Sequence, residues 1–362
     1  MKIALLTGGG DAPGLNAVIY AITRISLRKF PMCELIGYKF GYRGMYKNNF
    51  LRLTLENTSG ILNKGGTILS SSNKDNLFDY LVEDESGNKI RCDVSDIAIE
   101  NLKRENVDVL IVMGGDGTLT SARDFSRKGV NVIGVPKTID NDLDSTDTTF
   151  GFDTAVNIVT ENLERLHTTA ESHHRIIIVE VMGRNAGWIA LYAGIAGSAD
   201  VILIPEIEYD INNIIEKISE RDSQDKNFSI IIITEGAHEK NGKIVVSKII
   251  DDSPDPIRLG GIGEKLANQL EKLTDHEVRS VSLGHIQRGG DTSPHDRILS
   301  ARYANATVDL ISQRKFGNMV CLKNNKMSYV SLEKAVENQK FIKMDDELLN
   351  IARAMGISLG DA

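Results

Sequence analysis

The sequence predicts an α/β fold of two doubly wound, Rossmann-like parallel-sheet domains. Three observations predict it. Apolar runs of strand length recur along the 362 residues, each closed by a turn and followed by a segment of 3.6-residue period. Several runs, Ile176–Val179 and Ile230–Ile233 among them, are apolar without alternation, as in strands covered by helices on both faces. At about 150 residues per domain, the length provides for roughly two buried cores.

In chain order, strands are expected over Lys2–Thr7, Glu34–Lys39, Asp108–Met113, Asn131–Val135, Arg175–Met182, Ala199–Ile204, Phe228–Glu235 and Glu277–Leu283. Helices are expected over Gly14–Lys29, Thr118–Lys128, Asp153–Glu171, Asn185–Gly197, Asp210–Arg221, Gly261–Lys272, Asp296–Arg314 and Asp345–Met355. Polar insertions are read at Asp84–Asp93, Glu220–Asn227, Glu239–Gly242 and Asp251–Pro256. No repeat of solenoid length is present, and spacing places a domain boundary near residue 150.

Composition narrows the function classes. With 41% hydrophobic and 25% charged residues, disorder and collagen-like repeats are excluded. Lys and Arg total 42 against 50 acidic residues, a net charge of −8. That balance gives no support to a nucleic-acid or anionic-membrane partner, yet leaves room for a local cationic pocket. The longest apolar runs are far shorter than the roughly 20 residues that span a bilayer. Met1–Gly8 carry no small-residue cleavage site, so no signal peptide is expected. Cys33, Cys92 and Cys321 stand in no metal or redox spacing, and a reduced, cytoplasmic protein is expected.

In an open parallel sheet, ligands bind where strands end and helices begin, so the residues after each strand carry the most information. The first strand runs into Thr7-Gly8-Gly9-Gly10-Asp11-Ala12-Pro13-Gly14. Glycines there let backbone approach a phosphate, although a tight strand–helix turn reads equally well. The motif is neither a Walker A loop nor a dinucleotide fingerprint. The next such turn is Gly114-Gly115-Asp116-Gly117-Thr118. Asp116 could hold Mg²⁺, a hard cation that prefers carboxylate and phosphate oxygen. The competing reading makes Asp116-Gly117 a plain turn and Thr118 an N-cap. Pro136-Lys137-Thr138-Ile139-Asp140-Asn141-Asp142 follows one strand later. Two carboxylates at i and i+2 beside a lysine suit proton abstraction from a hydroxyl next to a phosphate.

The second half supplies cations and hydroxyl-binding groups at strand termini: Arg175, Met182-Gly183-Arg184, Thr234-Glu235-Gly236, Arg279 and Gly284-His285-Ile286-Gln287-Arg288-Gly289-Gly290. Any one arginine at such a place is more often a surface ion pair; several together point to a phosphorylated substrate. His173-His174 lack metal spacing and read as structural or interface residues. Trp188 reads as a core residue.

Taken in order, Gly9–Gly14, Gly114–Thr118, Pro136–Asp142, Val179–Arg184, Thr234–Gly236 and Gly284–Gly290 resemble the 6-phosphofructokinase family. The resemblance implies transfer of a phosphoryl group to the 1-hydroxyl of fructose 6-phosphate, with the active site in the cleft between the two domains. It implies a phosphoryl-donor domain over residues 1–151, with a return around 287–337. A fructose-6-phosphate domain is implied over 152–286, with 338–362. Asp140 resembles the catalytic base, with Lys137, Thr138, Asp142 and Arg184 at the reaction centre. Asp116 resembles the Mg²⁺-associated aspartate. Gly9, Gly10, Asn73, Lys74, Gly115, Gly117 and Thr118 resemble the donor site. Met182, Gly183, Arg184, Glu235, His285 and Arg288, with Thr138 and Asp140, resemble the sugar-phosphate site. Arg175 and Arg279 resemble arginines that reach a neighbouring subunit's site, which implies a homo-oligomer, a tetramer or a dimer.

On the donor, the resemblance is to the mixed-substrate branch. Glycine at 117 goes with ATP in the family, because a carboxylate there would fill and repel the α-phosphate region. Lys137 stands where pyrophosphate users carry lysine, and Asn73 replaces an arginine common in the family. ATP is the expected donor and pyrophosphate the alternative. Arg24 matches one effector-site arginine of the family, whereas Tyr20 stands in place of another. An NAD or lipid kinase shares only the GGDGT turn. A catalytically silent regulatory subunit would have lost Asp116, Asp140, Asp142 or Arg184, and all four are present.

Overall fold

The computed structural model describes residues 1–83, 87–249 and 256–361. They fall into two compact units. The first comprises Met1–Ile139, Leu143–Asp153 and Arg288–Gln339; the second comprises Asp140–Asp142, Thr154–Gln287 and the chain from Lys340 onward. Residues 84–86 and 251–255, in two of the expected polar insertions, lie outside the described residues.

The chain opens with strand β1 (Lys2–Thr7), helix α1 (Leu15–Lys29) and strand β2 (Glu34–Tyr38). Helix α2 (Tyr42–Lys47) then turns it into the edge strand β3 (Phe50–Leu53). A separate ribbon pairs β4 (Tyr80–Glu83) with β5 (Lys89–Cys92). Helix α3 (Ser95–Arg104), β6 (Val109–Gly114), α4 (Asp116–Arg127) and β7 (Val132–Pro136) follow. The 22-residue helix α5 (Phe152–His173) leads to β8 (Ile176–Val181), α6 (Trp188–Ala196) and β9 (Val201–Leu203). Next come α7 (Ile211–Asp222), β10 (Ser229–Thr234) and a second ribbon of β11 (Val246–Ile249) and β12 (Ile257–Leu259). Helix α8 (Ile262–Leu273) and β13 (Val278–Ser282) complete the second sheet. Helix α9 (Pro294–Ser312), β14 (Asn318–Lys323), β15 (Lys326–Ser331) and α10 (Leu332–Ala335) return to the first unit. Helix α11 (Glu347–Ala354) ends the second.

The first sheet has the order β15-β14-β7-β6-β1-β2-β3; its inner strands are parallel and its two edges antiparallel. Alternation within β1 explains the layers. Ile3 and Leu5 join Ile19, Ile22 and Tyr303 of α1 and α9 in one core. Ala4 and Leu6 join Leu119 and Phe125 of α4 in the other. A strand that buries both faces needs the unbroken apolar run seen in the sequence. The second sheet, β13-β8-β10-β9, is parallel throughout. Ile176, Ile178, Ile231 and Ile233 meet Ile214 and Leu266 of α7 and α8 on one face. Truncating one of these to alanine would cost about 2–5 kcal/mol.

All eight expected strands and eight expected helices are present, displaced by at most a few residues at their ends. The sequence reading missed β3, β4, β5, β14 and β15, besides β11, β12 and the helices α2, α3 and α10. These strands are short, solvent-facing or paired antiparallel on at least one side. The segment read as a polar insertion at Asp84–Asp93 contains β5. Among the described residues, no helix is long and apolar enough to cross a membrane.

Candidate active site

In the first unit, β7, β6 and β1 are neighbours, so the turns at their carboxyl ends lie side by side. The chain leaves β1 toward β2 on one side and returns at β6 on the other. This is the topological switch point, where doubly wound sheets bind ligands. The Gly8 N–H donates to the Met113 carbonyl at 2.9 Å, and the Gly9 N–H to the Ser72 carbonyl at 3.0 Å. Ser71 Oγ donates to the Gly9 carbonyl at 2.6 Å. The segment bearing Asn73 and Lys74, both exposed, is thereby tied to the β1 turn. A Cβ at Gly8 or Gly114 would lie 2.5 or 2.3 Å from Thr118 Cγ2, so only bare backbone admits the first turn of α4 here.

Thr118 is not the N-cap of α4. The helix begins at Asp116, Gly115 is its N-cap, and no side chain caps its first turn. Those N–H groups are available to an anion. Asp116 is half-buried, and burial pushes its carboxyl above the ordinary carboxylate range, against an opposing pull from Arg123. Among the described residues, its carboxylate has no hydrogen-bond partner. At Gly117, a Cβ would meet nothing within 4 Å.

Lys137 is only 5% exposed, and its Nζ donates to the Gly10 carbonyl at 2.5 Å. Arg288 packs against the same residue: a Cβ on Gly10 would lie 2.7 Å from its Nη1, and among the described residues its buried Nε has no partner. Two cations thus face one glycine turn. Thr138 is 8% exposed, and its carbonyl accepts a bond from Thr149 Oγ1 at 2.7 Å. Asp140 and Asp142 belong to the second unit and are half-buried; between them Asn141 is buried in the left-handed region, φ 52°.

In the second unit, β13, β8 and β10 are neighbours. Their carboxyl ends bring together Met182-Gly183-Arg184, Glu235 and the 3₁₀ turn that begins at Gly284, on which His285 is exposed. Gly236 explains the fit between two of them. Its N–H donates to the Gly183 carbonyl at 3.2 Å, and a Cβ would lie 2.0 Å from the Arg184 carbonyl oxygen. Gln287 is fully buried, accepting from Met182 N–H at 3.2 Å and donating to the Gly284 carbonyl at 3.0 Å. Glu180 accepts from the Gly261 and Gly263 N–H groups at the start of α8. A carboxylate inside the apolar run of β8 was the sequence signal for this contact, and the sequence reading passed over it.

Arg175 and Arg279 are elsewhere. They stand at the amino ends of β8 and β13, about 20 Å of strand from the Met182 turn. Both pair with Glu277, Arg175 through Nε at 2.6 Å and Nη2 at 3.1 Å. Arg175 above all, with Arg279, holds the Glu277 carboxyl below its usual range. His173 and His174 are exposed at this same end. Trp188 is buried at the start of α6, as the sequence reading has it.

Glycine turns at a switch point, an uncapped helix start and a buried lysine beside a half-buried arginine define a phosphate-handling α/β protein. Residues 2–311 match the family model described as Phosphofructokinase, and the chain belongs to that family. It is 66% identical over 361 residues to ATP-dependent 6-phosphofructokinase 2 of Clostridium perfringens, covering 99% of this chain and 98% of the relative. It is 43% identical to pyrophosphate–fructose 6-phosphate 1-phosphotransferase of Streptomyces coelicolor, covering 94% of this chain and 96% of the relative. Among solved structures, phosphofructokinase from Saccharomyces cerevisiae superposes with a TM-score of 0.78 at 27% identity. It covers 98% of this chain, which spans 46% of the yeast chain.

Proposed function

We propose that the chain is an ATP-dependent 6-phosphofructokinase, transferring the γ-phosphoryl group of ATP to the 1-hydroxyl of D-fructose 6-phosphate in glycolysis. Family membership supports the reaction. The observation that carries the assignment to this site is the pairing of Lys137 with the Gly10 turn, beside the uncapped start of α4. Buried ammonium and unpaired N–H groups at one switch point are what a transferring phosphoryl group requires.

Unit by unit, the first binds the donor through Gly9, Gly10, Asn73, Lys74, Gly115, Gly117 and Thr118. The second binds fructose 6-phosphate through Met182, Gly183, Arg184, Glu235 and His285, with Arg288, Thr138 and Asp140 contributing. Asp140 accepts the hydroxyl proton as the bond to phosphorus forms, and an ordinary carboxylate suffices for that late transfer. Lys137 and Arg184 offset the charge spread over the transferring oxygens, and Thr138 and Asp142 orient the acceptor loop. The donor is ATP because the space at Gly117 is open; pyrophosphate is the second reading, favoured by the lysine at 137.

Asp116 fits a role toward Mg²⁺. Its carboxylate is half-buried and, among the described residues, without a hydrogen-bond partner, and a hard dication offsets the desolvation that raises its pKa. No cluster of three or more metal-ligating side chains occurs among the described residues. A single carboxylate completed by donor phosphates is the usual magnesium arrangement in such enzymes. When bound, Mg²⁺ supplies charge neutralisation at the donor phosphates.

The distance between Arg175, Arg279 and the strand ends of their own unit supports a role toward a neighbouring subunit, hence a homo-oligomer, a tetramer in this reading. A cytoplasmic location follows from the same proposal. The test is bisphosphate formation from fructose 6-phosphate and Mg²⁺ with ATP or with pyrophosphate. Turnover with ATP alone supports the reading, turnover with pyrophosphate alone reverses the donor, and no turnover with either refutes it.

A further inference from the structure

The segment Gln339–Ile342, between α10 and α11, holds the loop that carries Asp140. The backbone N–H of Lys340 donates to the Asp142 carbonyl at 2.8 Å, and Gln339 pairs with Leu143 as an antiparallel bridge. The segment is gripped in turn by two side chains. Trp188, 6% exposed, donates its Nε1–H to the Lys340 carbonyl at 2.9 Å, and the Lys340 ammonium lies 5.1 Å from the indole ring centroid. Glu206 accepts from the Ile342 N–H at 3.0 Å and from the Gly187 N–H at 3.1 Å. It therefore ties the segment to the start of α6, the helix that begins with Trp188.

We propose that Trp188 and Glu206 are positioning residues for the catalytic base, acting through Lys340–Ile342 to fix the Asp140–Asp142 loop. The loop needs such a hold. Asn141 is in the left-handed region, φ 52°, a backbone conformation that is held where neighbouring contacts determine it. The bond from Lys340 holds the backbone one residue further on, two residues from the carboxylate that takes the proton. The grip is also specific in its chemistry. The indole donor is the single N–H of the side chain, and Glu206 Oε1 accepts from the N–H groups of both segments while Oε2 accepts from Gly187 alone. Partial burial strengthens both bonds and makes losing either one costly.

The proposal rests on the kinase reading, and its test separates the two. The Trp188→Phe variant keeps an aromatic ring and removes the one donor; Glu206→Gln keeps an acceptor and loses the second; Glu206→Ala loses both. Steady-state kinetics on each are normalised to folded protein by thermal melting and circular dichroism. Expected are kcat losses of about tenfold for W188F and more for E206A, with E206Q between wild type and E206A, since small misplacements of a reacting group carry losses of this order or larger. KM for ATP is expected to stay within about twofold of wild type. Normal kcat per folded molecule in E206Q and in whichever of the other two folds, even with a lower melting temperature, overturns the proposal. A wild-type chain inactive with both ATP and pyrophosphate overturns the kinase reading instead.

Discussion

Lys137 donates its ammonium to the carbonyl of Gly10 from a position almost sealed from solvent. A buried ammonium beside a glycine turn is suited to offset charge on a transferring phosphoryl group. Replacing Lys137 by methionine keeps the volume and removes the charge. The expected result is a kcat roughly 10²–10³-fold lower, with the fold intact by circular dichroism. An unchanged kcat would remove Lys137 from the reaction centre.

Gly117 tests the donor assignment. Its Cβ position is open, so Gly117→Asp is expected to melt within a few degrees of wild type. The added carboxylate is expected to lower kcat/KM for ATP by about 10²-fold while sparing pyrophosphate. Parallel assays with the two donors decide it, and unaltered ATP turnover would contradict the steric argument.

Gly236 is the opposite case. A methyl group there would collide with the Arg184 carbonyl oxygen. Gly236→Ala is expected to raise KM for fructose 6-phosphate at least about tenfold, to leave KM for ATP within about twofold, and to cost roughly 2–4 kcal/mol of stability. Denaturant melts and substrate titrations read both effects.

Asp116 links function to stability through pH. Burial raises its carboxyl pKa in the folded chain, so the folded state holds that proton more tightly than the unfolded one. The stability this provides is complete below the unfolded value and is lost as pH rises through the folded one. Asp116→Asn removes the charge, so the variant is expected to melt above wild type near neutral pH, with the gain shrinking as pH falls to about 4. Thermal melts across that range check the sign; a variant that melts lower near neutrality contradicts it.

Much of this was legible in the sequence for a physical reason. Strands buried on both faces must be apolar throughout, and the glycine turns at their ends must admit a helix start, so Lys2–Thr7 with Gly8–Gly14 could be read as one unit. The ribbons could not: Lys89–Cys92 and Val246–Ile249 bury little, and each is only 4 residues long, too short for a pattern to stand out. Asp116, Lys137 and Arg184 stand out in the sequence because their residue types and motif positions match a known chemistry. Gln287 and Glu206 were missed because a buried amide or carboxylate bonding to distant backbone has no local signature. Trp188 was read only as core, since one indole N–H aimed at residue 340 is invisible in sequence.

The most direct measurement follows fructose 1,6-bisphosphate formation from fructose 6-phosphate, Mg²⁺ and ATP, for wild type and for Asp140→Asn. Wild type is expected to turn over, and the variant to lose at least about 10²–10⁴-fold in kcat while binding ATP normally. An Asp140→Asn chain that works at the wild-type rate would contradict the account.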